Sequence, residues 1–249
     1  FRARGIPTLS HPVIWERTPR AAVMVAGNGS AMVYARPGVP RMERWPMEKL
    51  RRHDCFGAEE DLIEALTREP GVAFVAAASE QGGIWVGGAD GAAEITNTEN
   101  RVSYRRVSGD PLEVGRSWTA TPREWLEATW DGPYPDAPSQ ILDQMRSSRS
   151  GDLLVVAREG YDFRDRFEIP EHRSGHGSMI RAHMQTPVWS SLPIPSIPFR
   201  TVDLFPSMLA WLDVRVPENI DGQSIWLPDA PGERVLSDSG SPGHLVPAR

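Results

Sequence analysis

Three of the six histidines in this chain lie in one polar segment, at positions 172, 176 and 183. A neutral imidazole is a common zinc ligand and also titrates near neutral pH. His176 stands between Gly175 and Gly177, and flanking glycines let a backbone present a side chain at the end of a loop. His176 is therefore the candidate ligand, whereas the pattern alone gives His172 and His183 no role beyond a surface loop.

The element that must position His176 is the apolar run at 152–157 (DLLVVA), which follows a glycine and contains β-branched residues. Such a run predicts a buried strand. Open α/β sheets bind ligands just beyond the carboxyl ends of their strands. The sequence therefore predicts an inner strand at 152–157 with the histidine loop near its carboxyl end.

Other groups that could do chemistry have simpler explanations. Glu59, Glu60 and Asp61 could be metal ligands, but their place in GAEEDLIEALTRE favours the solvated first turn of a helix over 57–69. The single cysteine, Cys55, excludes an intramolecular disulfide and any cysteine-rich zinc site. The Gly-Asn-Gly at 27–29 could be a phosphate loop, but a strand follows it, which favours a β-hairpin over 21–35.

The remaining pattern predicts short strands alternating with helices. We expect antiparallel strands across 72–107, a helix at 139–146 and an amphipathic helix at 200–213 with Pro206 in its first turn. Short strands are expected at 186–189 and 222–226.

Composition limits the classes of function. The 249 residues are 40% hydrophobic and 24% charged, as in ordinary globular proteins, and carry a net charge of −6. That charge provides no basic patch for nucleic acid. No apolar run approaches the roughly 20 residues of a membrane helix, and no leader peptide is visible. The compartment stays open, with the cytoplasm favoured.

Two blocks of sequence resemble a known superfamily. GHGSM with HMQTPVW, and then RTVDLFPSMLAWLDVRVPENIDGQSIW, are similar to the C-terminal part of alkaline-phosphatase-superfamily enzymes, which include type I phosphodiesterases and nucleotide pyrophosphatases. The segments AVMVAGNGSAMVY, PGVAFVAA and YRRVSGDPL look like the middle region of a bacterial, phosphodiesterase-like branch.

The resemblance implies an α/β fold with a mixed sheet flanked by helices, alkaline-phosphatase-like, and a small antiparallel β subregion. It implies a hydrolase that uses two divalent metal ions, usually zinc, on a small-molecule phosphate ester. His176 corresponds to the last metal ligand of the family, His183 to a residue that shapes the loop, and Asp203 and Asp221 to structural positions.

The chain also departs from the family pattern. The first metal-binding Asp, the nucleophile segment, the D-x-x-x-H pair and the DHG motif are not found, and His53-Asp54 has the reverse order. Catalytic zinc takes about three protein ligands, so one histidine is not enough.

We therefore expect residues 1–249 to be the C-terminal portion of one catalytic domain, without activity on its own. Its parts would be an α+β subregion at 57–130, a core at 151–226 that carries the ligand loop, and a loosely ordered tail at 227–249. The alternative is a non-catalytic scaffold or binding module derived from this superfamily. A sulfatase is disfavoured because its nucleophile motif is also absent.

Overall fold

The computed structural model describes residues 1–10, 16–35, 44–55, 57–163, 174–191 and 194–225. His172 and the predicted tail at 227–249 lie outside these residues. The chain divides into two compact units, Phe1–Val188 and Trp189–Arg249.

The first unit is built on a nine-stranded sheet and a separate two-stranded sheet. The strands β1 to β11 are, in order, Thr8–Leu9, Ala21–Ala26, Ser30–Tyr34, His53–Cys55, Ala58–Glu60, Val72–Ala78, Ile84–Gly88, Gly91–Thr98, Arg101–Gly109, Trp118–Ala120 and Leu153–Ala157. The large sheet has the order β1-β2-β3-β11-β6-β7-β8-β9-β10, and β4 pairs with β5 alone. Among the described strands, β1 and β2 form the parallel pair and the other pairs are antiparallel.

Strand β11 lies inside the sheet, between β3 and β6. All five of its residues are buried, and β6 is buried over six of its seven. A continuous apolar run of this kind is expected where both faces of a strand are covered. The inner strand predicted at 152–157 is confirmed.

Helices cover both faces of the sheet in this unit. Helices α1 to α5 are Met47–Arg51, Leu62–Thr67, Pro122–Thr129, Ala137–Arg146 and Arg181–Met184, and a 3₁₀ turn spans Arg2–Arg4. Trp125 of α3 and Ile141 of α4 pack in one core cluster with Phe74, Ile95 and Tyr104. Leu50 of α1 and Leu62 of α2 pack in the other cluster with Val75, Leu153 and Val155.

The hairpin over 21–35 and the antiparallel strands across 72–107 are confirmed. The mixed α/β class with a flanked mixed sheet and a small antiparallel sheet is confirmed as well. The helix predicted at 139–146 is confirmed as α4, which begins two residues earlier.

The helix predicted over 57–69 is wrong in its first part. Residues 58–60 form β5, in which Glu59 pairs with Asp54 and Glu60 with His53. The helix α2 begins only at Leu62, because the side chain of Asp61 accepts a hydrogen bond from Glu64 N at 2.8 Å and caps it there. Glu59 is therefore a strand residue, and its carboxylate pairs with Arg52 at 2.9 Å.

Two short strands predicted from sequence are also wrong within the described residues. Residues 186–189 and 222–225 have no strand pairing there. Thr186 to Trp189 are exposed, so no neighbouring strand satisfies their backbone groups. Position 226 lies outside the described residues.

The second unit contains a 3₁₀ turn at Thr201–Asp203 followed directly by helix α6 at Leu204–Trp211. Pro206 lies in the first turn of α6, as predicted, where its missing N–H costs no helical hydrogen bond. Within the residues that the structure describes, no helix has the length and apolar character needed to cross a membrane.

Candidate functional site

The loop that carries His176 is bound to the turn between β2 and β3. His176 N donates to Gly27 O at 2.7 Å, and Gly29 N donates to His176 O at 2.8 Å. These two bonds make a short parallel bridge between Asn28 and His176. The same turn reaches the carboxyl end of β11, because Ala157 N donates to Gly29 O at 2.9 Å. The structure therefore places His176 at that end of β11, as the sequence predicted.

The imidazole of His176 lies directly over Gly27. A Cβ atom built on Gly27 would come within 2.2 Å of Nδ1, 2.5 Å of Cε1 and 2.7 Å of Cγ. These three atoms are nearer to the Cβ position of Gly27 than Nε2 is, so Nε2 is the ring nitrogen farther from this contact. His176 as a whole is exposed, which leaves the ring accessible from solvent.

Two glycines permit this close approach. Gly27 has a φ of 58° and Gly177 a φ of 82°, in the left-handed region that residues with a Cβ rarely adopt. A Cβ on Gly177 would also lie 2.5 Å from Ala26 O. Of the two glycines that flank His176, Gly177 thus has a steric cause in the backbone of the neighbouring turn.

His183, in helix α5, is hydrogen-bonded to the backbone of the loop that carries His176. Its Nδ1 accepts a hydrogen bond from Ser178 N at 3.2 Å, and the residue is half-buried.

Ser178 is a structural residue of this site that the sequence did not indicate. It is buried, and its Oγ donates to Ala157 O at 3.1 Å and accepts from Ile180 N at 3.4 Å. A Cβ on Gly29 would come within 2.2 Å of Ser178 N. No sequence signal could have found the contacts with Ala157 and Gly29, because they join segments that are far apart in the chain.

The described residues offer one candidate metal ligand, His176, and not a complete centre. No group of three or more His, Cys, Asp or Glu side chains in the described ranges is arranged to hold a metal. A catalytic zinc takes about three protein ligands. No catalytic step through a metal therefore follows from these residues.

The carboxylates singled out in the sequence have other partners. Asp203, in the second unit, accepts from Arg200 N at 2.8 Å and from Gln223 N at 2.9 Å, which holds the backbone around the start of α6. Asp221 is an exposed residue before Gly222. Asp61 is the cap of α2, as described above. Each of them therefore has a structural position.

His53 and Cys55 lie on β4, away from the His176 loop. His53 is 3% exposed, and neither ring nitrogen has a hydrogen-bond partner in the described part of the chain. Burial lowers the pKa of His53, with nearby Asp54 opposing the shift. Cys55 is a buried free thiol, and burial raises its pKa. Cys55 is therefore a protonated core residue at neutral pH.

Polar side chains gather at the same end of the sheet as His176. Arg158 follows β11, and its guanidinium lies 3.6 Å from the carboxylate of Asp90, while Arg158 N donates to Gly71 O at 2.9 Å. Burial raises the pKa of Tyr134, which packs edge-on against Phe74. This end of the sheet therefore carries charged and neutral polar groups beside the histidine loop.

In comparisons with known proteins, no family model, no curated protein and no solved structure matches this chain.

Proposed function

We propose that this chain is part of a metal-dependent hydrolase of phosphate esters, of the phosphodiesterase and nucleotide pyrophosphatase type, with His176 as one zinc ligand. The observation that supports the proposal is the fixed position of the His176 imidazole against Gly27. The backbone N and O of His176 make two hydrogen bonds with the β2–β3 turn, the ring lies against Gly27, and the residue is exposed. Loops that bind catalytic metals need this kind of fixed ligand, because a mobile side chain loses entropy on binding.

The proposal includes an alkaline-phosphatase-like arrangement with two divalent metal ions. Two such ions about 4 Å apart stabilise both the attacking and the leaving oxygens of an in-line displacement. The remaining ligands and the nucleophile would come from residues beyond those described. On the resemblance in sequence, we expect them in a preceding part of the polypeptide.

The test is hydrolysis by the full-length gene product. We expect turnover of a nitrophenyl phosphodiester that is abolished by a chelator and restored by zinc. Phosphate monoesters and sulfate esters, run in parallel, define the ester class. The proposal is refuted if none of these esters is hydrolysed by metal-loaded, folded protein.

A second candidate is a binding module without catalysis. An apolar groove on the first unit, described in the next subsection, favours this candidate, because binding there would not require a metal. Under this alternative the full-length protein binds a small organic ligand, and its affinity does not change when the metal is removed.

A further inference from the structure

A groove of about 640 Å³ lies on one face of the large sheet in the first unit. Its floor is made of alternate residues from three neighbouring strands: Val23, Val25, Ala31, Val33 and Val155. Val25 pairs with Ala31, and Ala31 pairs with Val155, so these three form a continuous apolar row. A cavity of this size with apolar walls is typical of a small-molecule site.

The groove ends next to the β2–β3 turn, which binds the loop that carries His176. Val25, at the end of the apolar row, lies two residues before Gly27, and a strand rises about 3.4 Å per residue, which gives a separation of about 7 Å. Phe163 lines the groove, and its N–H donates to Asn28 O of the same turn at 2.8 Å. A ligand in the groove would therefore lie within one small molecule's length of the histidine loop.

The rim of the groove is acidic and aromatic. Glu69, just after α2, contributes an exposed carboxylate, and Phe1 and Phe163 contribute half-buried rings. The described lining residues include no lysine, arginine or histidine. Carboxylates and aromatic faces both attract organic cations, and a carboxylate rim repels anions.

We propose that this groove binds an alkyl or aryl group that carries a positively charged ammonium. Such a group is apolar enough for the valine floor and is complementary in charge to Glu69. Its role as the site for the alcohol portion of a phosphate ester rests on the proposed function. In that role the cationic alcohol would occupy the groove while its phosphate reaches the turn at Gly27.

The binding experiment uses metal-free protein, so that it does not depend on His176 chemistry. The probes are hexyltrimethylammonium, hexanol and hexanesulfonate, which share a six-carbon chain and differ in head-group charge. Calorimetric titration should show saturable binding of the cation, about tenfold tighter than the sulfonate. Equal affinity for the cation and the sulfonate, or no saturable binding of the cation, overturns the proposal.

Two matched pairs of variants locate the site. Glu69→Gln should weaken cation binding about two- to fivefold, whereas Glu80→Gln, an equal change of charge at the exposed β6–β7 turn, should leave it unchanged. Val25→Phe fills the groove and should abolish binding. Met24→Phe, on the opposite face of β2 and 53% exposed, should not. Circular dichroism confirms that each variant is folded.

If Val25→Phe or Glu69→Gln binds the cation like the wild type, the groove is not the site. Failure of the proposed function has a different signature, because zinc binding and ester hydrolysis would then be lacking while the metal-free protein still binds the cation.

Discussion

The position of the His176 ring depends on one neighbouring residue, Gly27, and this makes the ligand role testable without removing the histidine. Any side chain at Gly27 would overlap Nδ1, Cε1 and Cγ of the imidazole. The ring would have to leave its seat, although every atom that could bind zinc would still be present.

We predict that Gly27→Ala lowers the zinc affinity of the full-length protein by about 10- to 100-fold, the range seen when a residue that orients a ligand is lost. Gly82→Ala is the matched control, because Gly82 also has a positive φ, 84°, but a Cβ atom at that position would have no heavy atom within 4 Å. The measurement is a competitive zinc titration. Unchanged zinc affinity in folded Gly27→Ala would show that zinc binding does not depend on the position of the ring against Gly27.

A second prediction at this scale concerns the buried His53. Its ring nitrogens lack hydrogen-bond partners among the described residues, although Asp54, Asp152 and the backbone of Arg20 lie close enough to affect it. Burial holds its pKa below the ordinary value of 6.5 in the folded protein. As the pH falls through 6.5, the unfolded chain binds a proton that the folded chain does not, so the free energy of unfolding decreases.

His53→Leu should remove this part of the loss of stability on acidification. Its stability at neutral pH should change little, since an apolar residue replaces an unpaired polar one. The measurement is urea unfolding of metal-free protein at about pH 7 and about pH 5.5, which lie on either side of the ordinary pKa of histidine. His176→Gln, at an exposed position, is the control. An equal decrease of the denaturation midpoint in His53→Leu and wild type would assign the pH dependence to other groups.

At the scale of secondary-structure elements, the start of α2 is set by one carboxylate. Asp61 accepts from Glu64 N, and its other oxygen lies 3.1 Å from Arg51 Nη1 of α1. Asp61→Ala should therefore destabilise the protein by about 1 kcal/mol, mainly through the lost cap. Asp61→Asn keeps an acceptor for the cap, and the ion pair it loses is exposed enough to contribute little. Chemical denaturation that shows equal losses for both variants would contradict the capping role.

The same element shows what sequence could and could not predict. The apolar face of 62–66 indicated a helix, and that part is confirmed, but the acidic residues before it suit a helix start and an exposed strand equally well. The pairing of Glu59 with Arg52 and of β5 with β4 decided the outcome. Strand β11 was predictable because a continuous apolar run of five residues has few alternatives, and the hairpin at 21–35 because Gly-Asn-Gly suits a tight turn.

The contact between the 27–29 turn and the His176 loop was not predictable. Both were recognised as turns or loops, but their pairing joins distant segments, and neither hydrophobic periodicity nor glycine content encodes it. The bond from Ser178 Oγ to Ala157 O also joins segments 21 residues apart, whereas the contact of Ser178 with His183 is local. The sequence identified the histidine, and the fold supplies the reason why its ring is held.

At the scale of the whole molecule, the large sheet is not the mainly parallel sheet to which the rule on ligand position applies. The rule that ligands bind at the carboxyl ends of strands was derived for parallel sheets, whereas the described strands are mostly antiparallel. His176 nevertheless lies at the carboxyl end of β11, because the β2–β3 turn reaches that end and binds its loop. The likeness to alkaline phosphatase is therefore carried by sequence blocks and stays a proposal.

We predict that the purified 249-residue chain does not hydrolyse a nitrophenyl phosphodiester, even with zinc added. The described residues include one candidate zinc ligand, His176, and a catalytic centre needs about three. The measurement is release of nitrophenolate at high protein concentration, with a variant lacking the His176 imidazole purified in parallel to detect a contaminating enzyme. Metal-dependent turnover that this variant loses would show that the chain contains a complete centre.

The most direct test of the central claim is the metal content of the full-length protein with single histidine substitutions. His176→Ala should lose zinc and activity together, because one two-metal cluster performs the whole reaction. His183→Ala should retain its zinc and lose mainly stability, since the contact that it removes is the bond from Ser178 N. Elemental analysis of both variants beside the wild type decides the matter. If His176→Ala retains both metals while His183→Ala loses one, His176 is not the ligand.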